Sequence, residues 1–213
     1  MIRWLAACGV VTLIVDVLLT IGLAALDPEY SHSRQYISEL GEEGHPYATV
    51  LNAWSFVYGL LFAGFGVSLG RGLNSWPVLI TCLAIAACSV VTGAFPCDAG
   101  CAGDTPAAKV HMLTGYVSLP ATILTPLFAW FAMKGNTAWR GYRTLSLAAT
   151  ILLLASSGWL VACYFMGREQ AGCAVGAAQR LVLGILYMWM VAVAVRLWGL
   201  AGQPSSKRRG SVA

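Results

Sequence analysis

Two thiols, a carboxylate and an imidazole are crowded onto one short stretch of this chain: Cys97, Asp98 and Cys101 lie in Phe95-Pro-Cys-Asp-Ala-Gly-Cys101, and His111 follows ten residues later. An imidazole can exchange protons near neutral pH and a neighbouring carboxylate can orient it, so Asp98 and His111 are candidate acid/base groups. Thiols offer a nucleophile, a metal ligand or a disulfide. Pro96 cannot continue a helix and Gly100 permits a sharp turn, which holds Cys97, Asp98 and Cys101 on a tight loop. A helix beginning near Lys109 would then carry His111 in its first turn.

The elements that position this loop are read from hydropathy. Of the 213 residues, 58% are hydrophobic and 10% charged, with mean hydropathy +0.72, too apolar for a soluble domain of this length. A helix needs about 20 apolar residues to cross about 30 Å of hydrocarbon. Six such runs are present, at 5–26, 50–69, 76–95, 110–133, 145–166 and 181–200. The predicted fold is therefore an all-α, polytopic bundle of six transmembrane helices forming one domain over residues 1–200. The basic segment 201–213 is expected to be a disordered cytoplasmic tail. The first run is longer than the apolar core of a secretory signal and is read as an uncleaved anchor.

Charge sets the expected orientation. Nine of the thirteen basic residues (Arg3, Arg71, Lys134, Arg140, Arg143, Arg196, Lys207, Arg208 and Arg209) fall on one side of the six-span model, and eight of the nine acids on the other. The positive-inside rule then puts both termini in the cytoplasm, in the plasma (bacterial inner) membrane. The net charge of +4 comes largely from cytoplasmic ends, so membrane lipids rather than nucleic acid are the expected partners. Oligomeric state is not encoded in any of these patterns.

The first outer loop, residues 27–49, is long and polar but interrupted by Tyr30, Tyr36, Ile37, Leu40 and Tyr47. Helical spacing of Tyr36, Ile37 and Leu40 predicts a short amphipathic helix over about 33–40, lying on the membrane surface or capping the bundle, and one wall of a site rather than a solvated connector. Within the first span, Asp16 is an intramembrane acid with no Lys or Arg at its depth. It must face the bundle, either as a proton or cation site or as a carboxyl hydrogen-bonded to a neighbouring side chain. On the second span, small residues at Gly59, Ala63, Gly66 and Gly70 predict close helix packing.

Cysteines and histidines divide by side. Cys97, Cys101 and Cys173 fall in outer loops on the oxidising face, where a structural disulfide is expected; Cys97–Cys101 and a bridge from either to Cys173 both remain open. No Cys-x-x-Cys is present, which argues against a reactive redox pair. His32, His45 and His111 are all predicted outside and could supply a zinc site, but no close His-x-x-x-His pair occurs. The cofactor expectation is none, with zinc the alternative.

Tyr30-Ser-His32, Gln35-Tyr-Ile-Ser-Glu-Leu-Gly41, Pro46-Tyr47, Asn52, Phe95-Pro-Cys-Asp98, Gly100-Cys101, His111 and Gln179-Arg180 resemble an uncharacterised bacterial and archaeal membrane family, the domain of unknown function numbered nine-nine-eight. The resemblance runs through all six helices. More distantly, Tyr36-Ile-Ser-Glu-Leu-Gly41 followed by a proline is similar to the opening loop of the Frag1/DRAM/Sfk1 membrane proteins, which implies lipid or glycolipid handling.

Together, residues and resemblance point to one outward-facing polar cluster at headgroup level. His111, Asp98 and Glu39 are its candidate catalytic groups, and Tyr36, Ser38, Asn52, Gln179 and Arg180 its candidate ligand-binding groups, with Arg180 pairing a phosphate. The expected function is to bind, and to process or move, a lipid or lipid-linked molecule. A metal-dependent or acid/base membrane hydrolase is one alternative; a non-catalytic scaffold whose charged cluster is structural is the other.

Overall fold

The computed structural model describes residues 2–167 and 173–202. It is all-helical, 82% helix without strands among the described residues. Six long helices, each apolar enough to cross a membrane, run in chain order: α1 Ile2–Ala25, α2 Ala48–Leu73, α3 Trp76–Ala94, α4 Pro106–Ala132, α5 Arg140–Met166 and α6 Val175–Ala201. Each predicted span is present, and most of the helices extend past the apolar run that marks them. α4 starts three residues before Lys109, because Pro106 suits the first helical position and Thr105 Oγ1 accepts from Ala108 N at 3.1 Å. His111 is therefore in the second turn, not the first.

Each helix packs on its neighbours in the chain, and α1 closes the ring against α6. Arg3 lies 4.6 Å from the ring centre of Trp198, so the beginning of α1 and the end of α6 share one end of the bundle, here the terminal end. The opposite, loop end carries the connections 26–47 and 95–105 and the start of α6. The small-residue stripe of α2 is the seam with α3. A Cβ on Gly66 would collide with the Cβ of Cys82, and one on Gly59 would sit 2.6 Å from the carbonyl oxygen of Ala86. Glycine at these positions lets the two backbones meet.

The tightly filled core lies toward the terminal end, around Phe62, Phe65, Leu69, Trp189, Met190 and Val193, all fully or almost fully buried. Trp189 Nε1 donates to Ser146 Oγ at 2.9 Å, which satisfies the indole within this apolar layer. Large side chains such as Leu18, Leu60, Ile80, Leu154 and Met188 are exposed on the outside of the ring, as lipid-facing positions require.

The first long loop departs from the amphipathic helix predicted over 33–40. Residues 32–34 form a turn, Gln35 a bend and Tyr36 is extended, and only a 3₁₀ turn, Ile37–Gly41, is helical. Glu39, Leu40 and Gly41 in that turn are buried, so the segment caps the bundle instead of floating on its surface. The basic tail from 203 onward lies outside the described residues.

Candidate functional site

The loop end is assembled by side chains that bind backbone. Arg180, near the start of α6, donates from Nη1 to the carbonyls of His32 at 2.8 Å, Gln35 at 3.2 Å and Gly176 at 3.1 Å, and from Nη2 to Tyr30 Oη at 2.7 Å. Tyr30 Oη in turn donates to the Tyr36 carbonyl at 2.8 Å. Gln179 Oε1 accepts from Ile37 N at 2.7 Å, and the Ser33 carbonyl accepts from Gly176 N and Ala177 N. These bonds dock residues 30–37 on the N-terminus of α6, where unpaired N–H groups need acceptors. Arg180 thus clamps a loop, and it does not line the cavity described below.

Glu39 acts within its own turn, its Oε1 accepting from Tyr36 N at 2.8 Å. Asn52 Nδ2 donates to the Gly41 carbonyl at 2.9 Å and ties the same turn to α2. The second loop joins the first through Gly100 N to Glu42 Oε2 at 2.7 Å and Glu43 N to the Cys97 carbonyl at 2.9 Å.

Cys97 and Cys101 form a disulfide, and Cys173 is a free thiol. Cys173 lies against the Cys163 thiol of α5, and that contact, with some desolvation, raises its pKa. Ser38 Oγ lies 3.4 Å from Cys101 Sγ. Asp98 turns into its own loop: Oδ1 accepts from Gly103 N at 2.9 Å, and Oδ2 from Asp104 N at 2.7 Å and Thr105 N at 3.0 Å. These backbone donors hold its carboxyl below the usual carboxylate range. His111 Nδ1 is 3.0 Å from the Phe95 carbonyl oxygen. A carbonyl only accepts, so Nδ1 carries the proton, and in the neutral form of the ring Nε2 keeps a lone pair.

A cavity of about 590 Å³ begins at these loops and runs into the membrane half of the bundle. Tyr36, Ser38, Cys101, His111 and Gln179 line its mouth, and Asp16, Trp54, Tyr58 and Tyr187 its inner end. Between them the lining is largely aliphatic, with Leu51, Ile85, Leu119, Leu160, Leu183 and Leu186, crossed by Ser55, Ser89, Thr92, Thr114 and Thr122. One side reaches the surface between α4 and α5, where the lining residues Tyr116, Tyr164 and Phe165 are 59%, 45% and 79% exposed. There, Tyr116 Oη and Tyr164 Oη lie 3.3 Å apart, and a Cβ at Gly115 would meet open space.

Asp16 is 9% exposed at the inner end. Trp54 Nε1 donates to its Oδ1 at 2.8 Å and Tyr187 Oη to its Oδ2 at 2.7 Å. Tyr58 Oη stands 3.4 Å from Tyr187 Oη and, because Tyr187 gives its single proton to Asp16, can donate to it. The acid is hydrogen-bonded to side chains of α2 and α6, one of the two arrangements its sequence position allows.

The sulfurs of Cys97 and Cys101 and a ring nitrogen of His111 lie within 4.8 Å of one another, a geometry a metal could use once the disulfide is reduced to thiols. His32 and His45 stand elsewhere: His45 Nε2 is 3.2 Å from Asp27 Oδ2, and the His32 ring packs edge-on against Tyr30. Of the sequence-selected residues, Tyr36, Ser38, Asn52, His111, Gln179 and Asp16 share one cavity, while Glu39, Asp98 and Arg180 are engaged in backbone support. The aromatic residues Trp54, Tyr58, Tyr116, Tyr164 and Tyr187 were not among the sequence candidates. Trp54 and Tyr58, four apart on α2, carried a usable signal, since polar-tipped aromatics within a span need partners for their N–H and O–H.

Residues 6–196 match the model of a family described as Protein of unknown function (DUF998). Neither a curated protein nor a solved structure matches the chain, so the distant likeness to the Frag1/DRAM/Sfk1 proteins gains no support there. With nearly its whole length matched, the chain belongs to this uncharacterised family of six-helix membrane proteins.

Proposed function

We propose that the chain binds a membrane lipid or lipid-like amphiphile in the cavity between its loop end and Asp16, at the non-cytoplasmic leaflet of the plasma (bacterial inner) membrane. The observation that carries this reading is the shape of the cavity: a largely apolar chamber with a polar mouth at the loop end and an exposed side between α4 and α5. Pockets of about 300–1,000 Å³ hold drug-sized ligands, and a flank reached from lipid lets a hydrophobic molecule enter without crossing water. The orientation follows from the basic residues Arg3, Arg71, Lys134, Arg140, Arg143 and Arg196, which favour a cytoplasmic terminal end.

A photoactivatable phospholipid incorporated into membranes containing the protein tests this. Adducts are expected to concentrate on peptides containing Tyr116 and Tyr164, and to diminish in Gly115→Trp, whose indole would fill the open space at that residue. Adducts spread evenly over lipid-facing positions such as Ile80 and Leu154, and indifferent to the tryptophan, would sink the proposal.

A further inference from the structure

Resting on that cavity, we infer the charge of its occupant: the site takes a lipophilic organic cation, an ammonium or related onium group seated on Asp16 with its apolar body along the aliphatic lining. Among the described lining residues Asp16 is the acid, and none is Lys or Arg. The imidazole among the lining residues, His111, belongs to the mouth.

As an anion, Asp16 is incompletely served. Its two oxygens receive one neutral donor each, from Trp54 and Tyr187, whereas a carboxylate offers about four acceptor positions. It lies nine residues from the loop end of α1, roughly 14 Å along the helix axis and about half the thickness of a bilayer core. Charge at that depth calls for a counter-charge, and the side chains lining the cavity provide none.

The walls favour an organic cation over a bare ion or an anion. Trp54, Tyr58 and Tyr187 border the acid, and their ring faces attract cations most strongly where water is scarce. A small inorganic ion would need a shell of oxygens, while most of the remaining lining is aliphatic. A phosphate reaching the inner end would meet Asp16 and no guanidinium, since Arg180 is held by three carbonyls and Tyr30. Ser55, Ser89 and Thr92 line the passage between the mouth and the acid, setting hydroxyl oxygens along it.

Tetraphenylphosphonium and tetraphenylborate have nearly the same shape and opposite charge, which makes them a direct test on the purified full-length protein, with detergent-only binding subtracted. The phosphonium is expected to bind at least about tenfold more tightly than the borate, and Asp16→Asn to lose roughly tenfold or more of that affinity. Gly115→Trp, which leaves Asp16 and its partners untouched, is expected to lose phosphonium binding while melting like the parent. Equal binding of the two ions, or an unchanged preference in a folded Asp16→Asn protein, overturns the inference. Should Asp16→Asn not fold, the comparison of the two ions on the parent chain and on Gly115→Trp decides. Lipid adducts at Tyr116 and Tyr164 without charge preference would refute the cation while leaving the cavity reading intact; loss of both would remove both.

Discussion

Asp98 shows how a side chain with catalytic credentials can be claimed by the backbone. Its two oxygens accept from three consecutive N–H groups, Gly103 to Thr105, leading into α4. Its folded pKa is thereby depressed. A depressed carboxyl stabilises the fold fully above its unfolded pKa and loses that contribution as pH falls through the folded value. Asp98→Asn is therefore expected to melt below the parent near neutral pH, and the gap to close as the parent's carboxyl protonates below the ordinary aspartate range. Thermal melts from about pH 7 to about pH 3 check this, and a gap independent of pH would mean the charge contributes nothing. The composition of the site was readable in the sequence because Asn52, His111 and Gln179 are polar residues at the edges of apolar runs, and Ser38 lies among the spaced Tyr36, Ile37 and Leu40 of the first loop. The roles of Asp98 and Arg180 were not, because they depend on which carbonyls and N–H groups the loops present, and on left-handed backbone such as Gly100 at φ 65° and Gly103 at φ 87°.

At the scale of elements, the spans were readable because a bilayer enforces about 20 apolar residues per helix. Their ends were not, because helix termini beyond the hydrocarbon follow capping: α4 begins at Pro106 behind Thr105, and α2 ends at Asn74 with φ 50°. The close contact of α2 with α3 follows from glycine spacing and carries its own prediction. Gly66→Val would push a side chain into Cys82, so the helices must part or the core must shift. Overpacking of this kind costs about 1–3 kcal/mol, and a clearly lower melting temperature is expected. Gly158→Ala on α5 is the matched control, since its Cβ would meet nothing within 4 Å. Replacing a helical glycine there should be neutral or stabilising by roughly 0.5–1 kcal/mol. Equal effects at the two sites would show that the α2–α3 seam is looser than its geometry.

For the whole molecule, the ring of helices explains what no linear pattern carries. The cavity is volume that no side chain fills between α2, α3, α4, α5 and α6, with Asp16 of α1 at its inner end, and a void leaves no periodicity in a sequence. The two ends of the bundle differ in charge: among the described residues the loop end bears Asp27, Glu29, Glu39, Glu42, Glu43, Asp98 and Asp104 against Arg34, Lys109 and Arg180, while the terminal end bears Arg3, Arg71, Lys134, Arg140, Arg143 and Arg196. Basic residues beside short loops resist translocation, so the terminal end is expected in the cytoplasm and the cavity mouth on the far side. Single cysteines introduced at exposed positions settle the orientation. Glu29→Cys is expected to react with a membrane-impermeant maleimide on intact cells, and Lys134→Cys only after permeabilisation, each measured against the parent chain. The reverse pattern would invert the molecule and turn the cavity toward the cytoplasmic leaflet, changing which lipids and cations could reach Asp16.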